Sequence, residues 1–173
     1  MEGTDPAGAG ANAQGSGRMG TDGCRPVSVS RRIDAPASDI FRLLSDPDRH
    51  PEFDGSGMLQ PGAINEVIDG VGDDFVMKMY FPAMGDYEMH NWIVVYEADR
   101  CIGWEPRNAE LARNGSRWRF DLTPEGPEAT VVTETYDCSG SPEEVRKAVD
   151  NGRVWLAGMT KTLERLDQLC ATQ

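Results

Sequence analysis

Glu134, Tyr136 and His90 are the residues of this chain whose types most directly suggest acid–base chemistry. A carboxyl group, a phenol and an imidazole can each exchange a proton with a reacting molecule when they lie close to it. Glu134 and Tyr136 are two positions apart in the strand-like segment Thr130–Asp137, so they would share one face. A carboxyl group held among apolar walls has a raised pKa, which suits proton transfer.

The orientation of Thr130–Asp137 is open on hydrophobicity alone. One face carries a valine and two threonines, and the other carries Val132, Glu134 and Tyr136. If the second face points inward, the buried carboxyl of Glu134 needs a hydrogen bond, an ion-pair partner or a functional role. An outward orientation, or an ion pair, is the alternative.

In two other segments the charged residues indicate which side chains point inward, because charged side chains face water. In Ser116–Thr123, two arginines and an aspartate alternate with Trp118, Phe120 and Leu122, which we expect to point inward. In the segment around Lys78, an outward lysine turns its apolar neighbours inward; these are Phe75, Met77 and Met79.

Which face of the predicted strand Tyr87–Glu97 points inward depends on the length of the loop that precedes it. A four-residue hairpin loop over 82–85 would pair Met77 with His90, and cross-strand partners share a face. His90, Trp92, Val94 and Tyr96 would then point inward. A loop one residue shorter or longer would reverse this assignment.

These residues lie on seven predicted strands with intervening turn signals. The strands are Val27–Ile33, Met58–Ile68, Phe75–Phe81, Tyr87–Glu97, Cys101–Glu105, Ser116–Thr123 and Thr130–Asp137. Two short helices are predicted after the first strand, one following Pro36 and one at His50–Phe53.

The segment from Ser141 to Cys170 is predicted to form one long amphipathic helix. Ser141 as the N-cap, Pro142 after it and Glu144 form a helix start signal. Apolar residues then recur at spacings of three and four residues. Gly152 and Gly158 inside this pattern indicate a bend or a close approach to the sheet.

One long helix over one antiparallel sheet predicts an α+β domain of the helix-grip type. A curved seven-stranded sheet wrapped around the C-terminal helix leaves space for a ligand between them. We predict that this cavity is lined by Phe53, Phe75, Met77, Met79, His90, Trp92, Trp118, Phe120, Glu134, Tyr136, Trp155 and Met159.

The composition and net charge of the chain limit the classes of molecule that it could bind. Residues 1–25 are rich in glycine and poor in large apolar side chains, which predicts a disordered tail before a domain over residues 26–170. The net charge of −12 argues against nucleic acid, and no apolar run could insert into a membrane. Without an export signal we expect a cytoplasmic protein with free thiols. Neither histidine lies at zinc-ligand spacing from a cysteine, so we predict no metal and no cofactor.

The sequence is similar to the SRPBCC superfamily, which includes START domains and polyketide cyclases. The similarity lies in the stretch from Val27 to Phe41, in His50–Met58, in Ile102-Gly103-Trp104, in the Trp118–Phe120 strand and in Val132–Asp137. It covers about residues 26–170 and implies a deep apolar pocket between the sheet and the helix.

Three functions follow as hypotheses. The first is binding of a hydrophobic small molecule, such as a lipid or a polyketide, by a monomer or homodimer. The second is a cyclase or dehydratase that uses Glu134, His90 or Tyr136 as acid or base. The third is a non-catalytic module that binds a protein partner through the groove.

Overall fold

The computed structural model describes residues 24–108, 110 and 112–172. The disordered tail predicted over residues 1–25 therefore lies outside the described residues, except for Cys24 and Arg25, which lead into the first strand.

A curled sheet of seven antiparallel strands forms one layer of the fold, as predicted. Its spatial order is β1-β7-β6-β5-β4-β3-β2, so the first strand pairs with the last. The strands are β1 (Val27–Ile33), β2 (Leu59–Gln60), β3 (Asp74–Phe81), β4 (Gly85–Glu97), β5 (Cys101–Arg107), β6 (Arg117–Pro124) and β7 (Thr130–Asp137).

Helices cover the concave face of this sheet. The two short helices predicted after β1 are present, and a 3-10 turn at Pro47–Arg49 joins them. The helices are α1 (Ala37–Leu44), α2 (His50–Phe53), α3 (Glu143–Ala148) and α4 (Leu156–Ala171). The buried side chains of α1 and α4 pack with the inward residues of β1, β3 and β5–β7 in one apolar core.

The strand predicted over Met58–Ile68 is wrong beyond its first residues, because only Leu59–Gln60 pairs with β3. Pro61 and Gly62 end it. Further along, the side-chain amide of Asn65 replaces the backbone ladder. Its Nδ2 donates to the carbonyl of Val76 at 3.1 Å, and its Oδ1 accepts from the Val76 amide at 2.8 Å.

The predicted register of the β3–β4 hairpin is wrong by one residue. The loop has three residues, because Phe81 pairs with Gly85, whose φ of 74° suits glycine. Met77 therefore pairs with Met89 rather than with His90. His90 and Trp92 consequently lie on the outer face of the sheet.

A β-bulge restores the predicted orientation at the far end of β4. The pairing with β5 shifts between Ile93 and Val95, which leaves Val94 as the extra residue rather than an inward one. Tyr96 then faces the core, where its ring lies 5.4 Å from that of Phe41.

The C-terminal helix is present but does not run unbroken from Ser141. The structure has α3, then a 3-10 turn at Asp150–Trp155, and then α4. Asp150, Asn151 and Gly152 have φ values of 45°, 52° and 90°, outside the helical region. A Cβ on Gly152 would lie 2.8 Å from Cδ1 of Tyr136, so the break at this glycine permits close contact with the sheet.

The predicted N-cap is also wrong. The first residue of α3 is Glu143, and Pro142 occupies the capping position without a side-chain hydrogen bond. The Ser141 hydroxyl is buried and has no hydrogen-bond partner among residues 24–108, 110 and 112–172.

Candidate functional site

A cavity of about 860 Å³ lies between the concave face of the sheet, the α2 end and α4. Strand alternation brings the inward side chains of β3, β4 and β5–β7 onto its wall. The 3-10 turn before α4 and the first turns of α4 form the opposite wall. The volume falls in the usual range for small-molecule sites.

The antiparallel registers align an aromatic row along the floor of this cavity. Tyr136 pairs with Trp118, which pairs with Trp104 on the next strand. The Trp118 and Tyr136 ring centroids are 4.6 Å apart. Trp155 lies over this row, 6.3 Å from Trp118 and 6.2 Å from Tyr136. A planar apolar ligand would therefore meet aromatic surfaces on several sides.

His50 lies at the α2 end of the cavity and is only 3% exposed. Its ring packs against Phe53, Phe75 and Trp104 at centroid distances of 5.3, 5.6 and 5.7 Å. Its Nε2–H donates to the carbonyl of Leu44 at 2.8 Å. Burial lowers the pKa of His50 to about 4, so the imidazole is neutral at pH 7.

Glu134 lies on β7 between apolar neighbours, and its side chain points into the cavity. Its cross-strand partners are Val29 and Phe120, and it is 5% exposed. Within the part of the chain that the structure describes, its buried Oε2 has no hydrogen-bond partner. Burial, and secondly the charge of Asp54, raise the pKa of Glu134 to about 8. The group is therefore mainly a neutral carboxylic acid at pH 7 and can donate a hydrogen bond.

The loop after α2 brings Asp54 to the cavity and is held by hydrogen bonds within the loop and to α4. The carboxylate of Asp54 accepts hydrogen bonds from the amide and hydroxyl of Ser56 at 2.9 and 2.7 Å. The Gly55 amide donates to Oγ1 of Thr162 at 2.9 Å. A Cβ on Gly55 would lie 2.1 Å from the carbonyl oxygen of Gly158, so only glycine permits this contact with α4.

The cavity has an apolar rim at the tip of the β3–β4 hairpin. Tyr80 and Phe81 line it and are 45% and 43% exposed. Val154, on the opposite wall, lines it and is 52% exposed. The exposed rim places the opening between this hairpin and the turn that precedes α4.

The sequence comparison identifies the family to which this architecture belongs. The sequence profile of the family described as polyketide cyclase/dehydrase and lipid transport matches residues 25–171. The chain belongs to this family. The similarity to the SRPBCC superfamily is thereby confirmed.

This family member has curated relatives in Mycobacterium tuberculosis. Uncharacterised proteins of strains H37Rv and CDC 1551 are 31% and 30% identical to it over 114 and 115 residues. Each match covers 65% of this chain and 48% of the relative. The chain thus spans about half the length of the curated relatives it matches.

Solved structures share the fold at low sequence identity. A Nitrosomonas europaea protein has a TM-score of 0.66 and 15% identity, covering 87% of this chain and 97% of its own. A START superfamily protein from Mycobacterium smegmatis has a TM-score of 0.59 and 14% identity, covering 85% and 97%. A norcoclaurine synthase point mutant of Thalictrum flavum, in complex with a transition-state analogue, has a TM-score of 0.56 and 17% identity, covering 86% and 94%. These similarities show the fold.

Ten of the twelve predicted cavity residues line the cavity of this family member. They are Phe53, Phe75, Met77, Met79, Trp118, Phe120, Glu134, Tyr136, Trp155 and Met159. His90 and Trp92 do not, because of the one-residue register difference in β4. On the outer face, the Arg107 guanidinium lies 4.6 Å from the centroid of the Trp92 ring. His90 therefore lies away from Glu134 and Tyr136.

Several cavity residues were not predicted from the sequence. Met89 and Asn91 take the inward positions of β4 that the correct hairpin register assigns to them. Trp104 follows from the pairing of β5 with Trp118. His50 lies on a four-residue helix, which is too short to show a periodic pattern. The other unpredicted lining residues with polar side chains include Asp54, Ser56, Asn114, Ser116, Lys161 and Thr162.

Two further observations concern metal binding and membrane crossing by the described residues. No group of three or more His, Cys, Asp and Glu side chains among them has the arrangement of a metal site. No helix in the described ranges combines the length and the apolar character needed to cross a membrane.

Proposed function

We propose that this protein binds one hydrophobic small molecule, such as a lipid or a polyketide, in the cavity between the sheet and α4. The observation that carries the proposal is the aromatic cavity of about 860 Å³ whose wall holds the buried carboxyl of Glu134, with an Oε2 that has no hydrogen-bond partner among the described residues. Membership of a family described by polyketide cyclisation and lipid transport supports it.

The apolar walls would supply most of the affinity. Each ligand methylene that leaves water for this cavity contributes on the order of 0.8 kcal/mol. Met77, Met79, Met89 and Met159 add flexible thioethers to the wall, and these adapt to irregular ligand shapes. A ligand of drug size would therefore bind with few polar contacts.

The polar groups of the cavity favour a ligand that carries a hydrogen-bond acceptor. The neutral carboxyl of Glu134 can donate one hydrogen bond, and the buried Nε1 of Trp155 is a second donor with no partner among the described residues. A ligand carbonyl or ether oxygen near either group would remove the free-energy cost of an unmade buried hydrogen bond, which is about 1–3 kcal/mol.

A neutral fluorescent probe with a carbonyl oxygen, Nile red, tests the proposal. We expect saturable binding of one equivalent with a blue-shifted emission. Ala157→Trp, at an exposed position of α4 that lines the cavity, should obstruct the opening and weaken binding at least tenfold. Thr160→Trp is the matched control, because Thr160 is exposed on the same helix outside the lining. Equal affinities for the two variants would refute binding in this cavity.

The tryptophans give a second readout of the same site. Trp104, Trp118 and Trp155 line the cavity, whereas Trp92 lies outside it. Bound Nile red should quench the cavity tryptophans. Trp118→Phe should reduce the quenching, and Trp92→Phe should leave the absolute loss of emission unchanged.

A second candidate function is a cyclase or dehydratase reaction, and the state of Glu134 favours it. A carboxyl with a pKa of about 8 can give or take a proton near neutral pH. Tyr136 lines the same cavity, and burial raises its pKa, so its phenol stays protonated and is the second proton donor of this version. His90 has no part in this version because it lies on the outer face.

One variant, Glu134→Gln, distinguishes the binding function from the catalytic one. Glu134→Gln keeps a hydrogen-bond donor but removes the ionisable proton. For an enzyme, this variant should lose at least 100-fold in turnover of a poly-β-keto substrate while binding is retained. For a binder, wild type and variant should both bind without consuming the compound, which mass spectrometry of the recovered ligand would show.

A further inference from the structure

Two cysteines that are distant in sequence meet at the edge of the sheet. Cys24 precedes β1 and Cys138 follows β7, and the antiparallel pairing of these strands brings the two residues together. Their sulfur atoms are 3.0 Å apart. Cys101 and Cys170, the other two cysteines, lie elsewhere on β5 and α4.

The two thiols differ in access to solvent. Cys138 is buried in an apolar cluster with Tyr136 and Met159, and Cys24 is partly exposed at the border of that cluster. Burial, and secondly the hydrogen bond with Cys24, raise the pKa of Cys138, so this residue stays a thiol at neutral pH. A small oxidant would therefore reach Cys24 first, and Cys138 would be the neighbour that reacts next.

We propose that Cys24 and Cys138 form a reversible intramolecular disulfide when a hydroperoxide oxidises Cys24. The Cys24 thiolate attacks the peroxide, the O–O bond breaks, and a sulfenic acid and water (or an alcohol) form. Cys138 sulfur then attacks the Cys24 sulfur, the S–O bond breaks, and the hydroxyl group leaves as water with the Cys138 proton. Two thiols lose two electrons and the peroxide gains two. A dithiol reductant reverses the reaction by exchange.

The disulfide would fix the start of β1 to the end of β7, beside the cavity wall. Val27 and Tyr136 are paired in the strands that follow and precede the two cysteines. The bond would close a loop of more than 100 residues, so it should raise the melting temperature by roughly 15 °C.

Peroxide titration of the full chain, followed by thiol alkylation and intact mass spectrometry, tests the proposal. One equivalent of hydrogen peroxide should yield a monomer two mass units lighter, with two of its four cysteines alkylated. Peptide mapping without reduction should identify the Cys24–Cys138 link. A different pairing, a cross-linked dimer, or wild-type Cys24 that accumulates as sulfinic acid would overturn the proposal.

Three variants sharpen the result. Cys24→Ser should remain fully alkylated at its other cysteines under the same dose. Cys138→Ser should accumulate sulfenic acid at Cys24, which dimedone labels, because the second thiol is missing. Cys101→Ser is the matched control and should form the disulfide to the same extent as wild type. Absence of dimedone label on Cys138→Ser would contradict the order of the two steps.

Discussion

His50 and Glu134 lie on two walls of one cavity and are buried to a similar degree, at 3% and 5% exposure. Burial keeps both neutral at pH 7, because it disfavours the charged form of either group. They differ in their partners. His50 donates to the Leu44 carbonyl at 2.8 Å, whereas Glu134 Oε2 has no partner in the described chain.

This difference separates a structural polar group from a functional one. The hydrogen bond of His50 links α2 to the end of α1, and its ring completes an aromatic cluster, so its polarity is used within the fold. A buried carboxyl without a partner costs free energy that a leucine would not. The unmade hydrogen bond of Glu134 is therefore available to a ligand.

The two groups also make stability depend on pH in opposite directions. The pKa of Glu134 rises on folding from 4.5 to about 8, so its contribution is full below pH 4.5 and is lost as the pH rises to 8. The pKa of His50 falls on folding from 6.5 to about 4, so its contribution is full above pH 6.5 and is lost as the pH falls to 4.

The largest expected effect is on the Glu134 side of the comparison. Glu134→Gln should remove the loss of stability between pH 5 and pH 8.5, because glutamine does not ionise. Relative to wild type, the variant should gain on the order of 4 kcal/mol across that interval. Urea unfolding at several pH values measures this gain. Parallel pH profiles for the two proteins would show that Glu134 is not buried as described.

The next effect concerns the His50 side. His50→Ala should lower the free energy of unfolding by about 3 kcal/mol, because it removes packing against Phe53, Phe75 and Trp104 and the bond to Leu44. His50→Phe keeps an aromatic ring and should cost less. Urea unfolding at pH 7 compares the two variants. An alanine variant as stable as wild type would contradict a structural role of His50.

A smaller effect tests the close contact between Gly55, in the loop after α2, and the backbone of α4. Gly55→Ala should destabilise the protein by about 2 kcal/mol, because its Cβ would overlap the backbone of α4 at Gly158 and Thr162. Gly70→Ala is the control, since a Cβ there meets nothing within 4 Å. Thermal unfolding of the two variants should differ clearly, and similar melting temperatures would disprove the close contact.

The smallest effect tests the corrected register of β4. His90→Ala, on the outer face, should change stability by no more than about 0.5 kcal/mol and leave Nile red affinity unaltered. Asn91→Ala, on the cavity wall and 4% exposed, should change the affinity. Fluorescence titration of both variants compares them. The opposite pattern would favour the four-residue hairpin loop.

The sequence predicted the parts of this site that alternation of charge and apolar character defines. On β6 the arginines turned Trp118 and Phe120 inward. On β7 hydrophobicity left the inward face open, and the structure places Val132, Glu134 and Tyr136 on it. The position of His90 could not be derived in this way. It depends on whether the hairpin loop has three or four residues, which the conformation at Gly85 decides.

The remaining differences also arise from local geometry. Left-handed backbone at Asn151 and Gly152 breaks a helix whose apolar spacing continues across the break. The amide of Asn65 replaces a strand by mimicking its hydrogen bonds. Neither effect changes the hydrophobic pattern, so the pattern could not reveal them.

A carbon-13 NMR titration of the Glu134 carboxyl group tests the central claim most directly, with Glu134→Gln to assign the signal. The account predicts that this carboxyl titrates near pH 8 in the free protein and that its chemical shift changes when Nile red fills the cavity. Titration near pH 4.5, with no response to the probe, would contradict it.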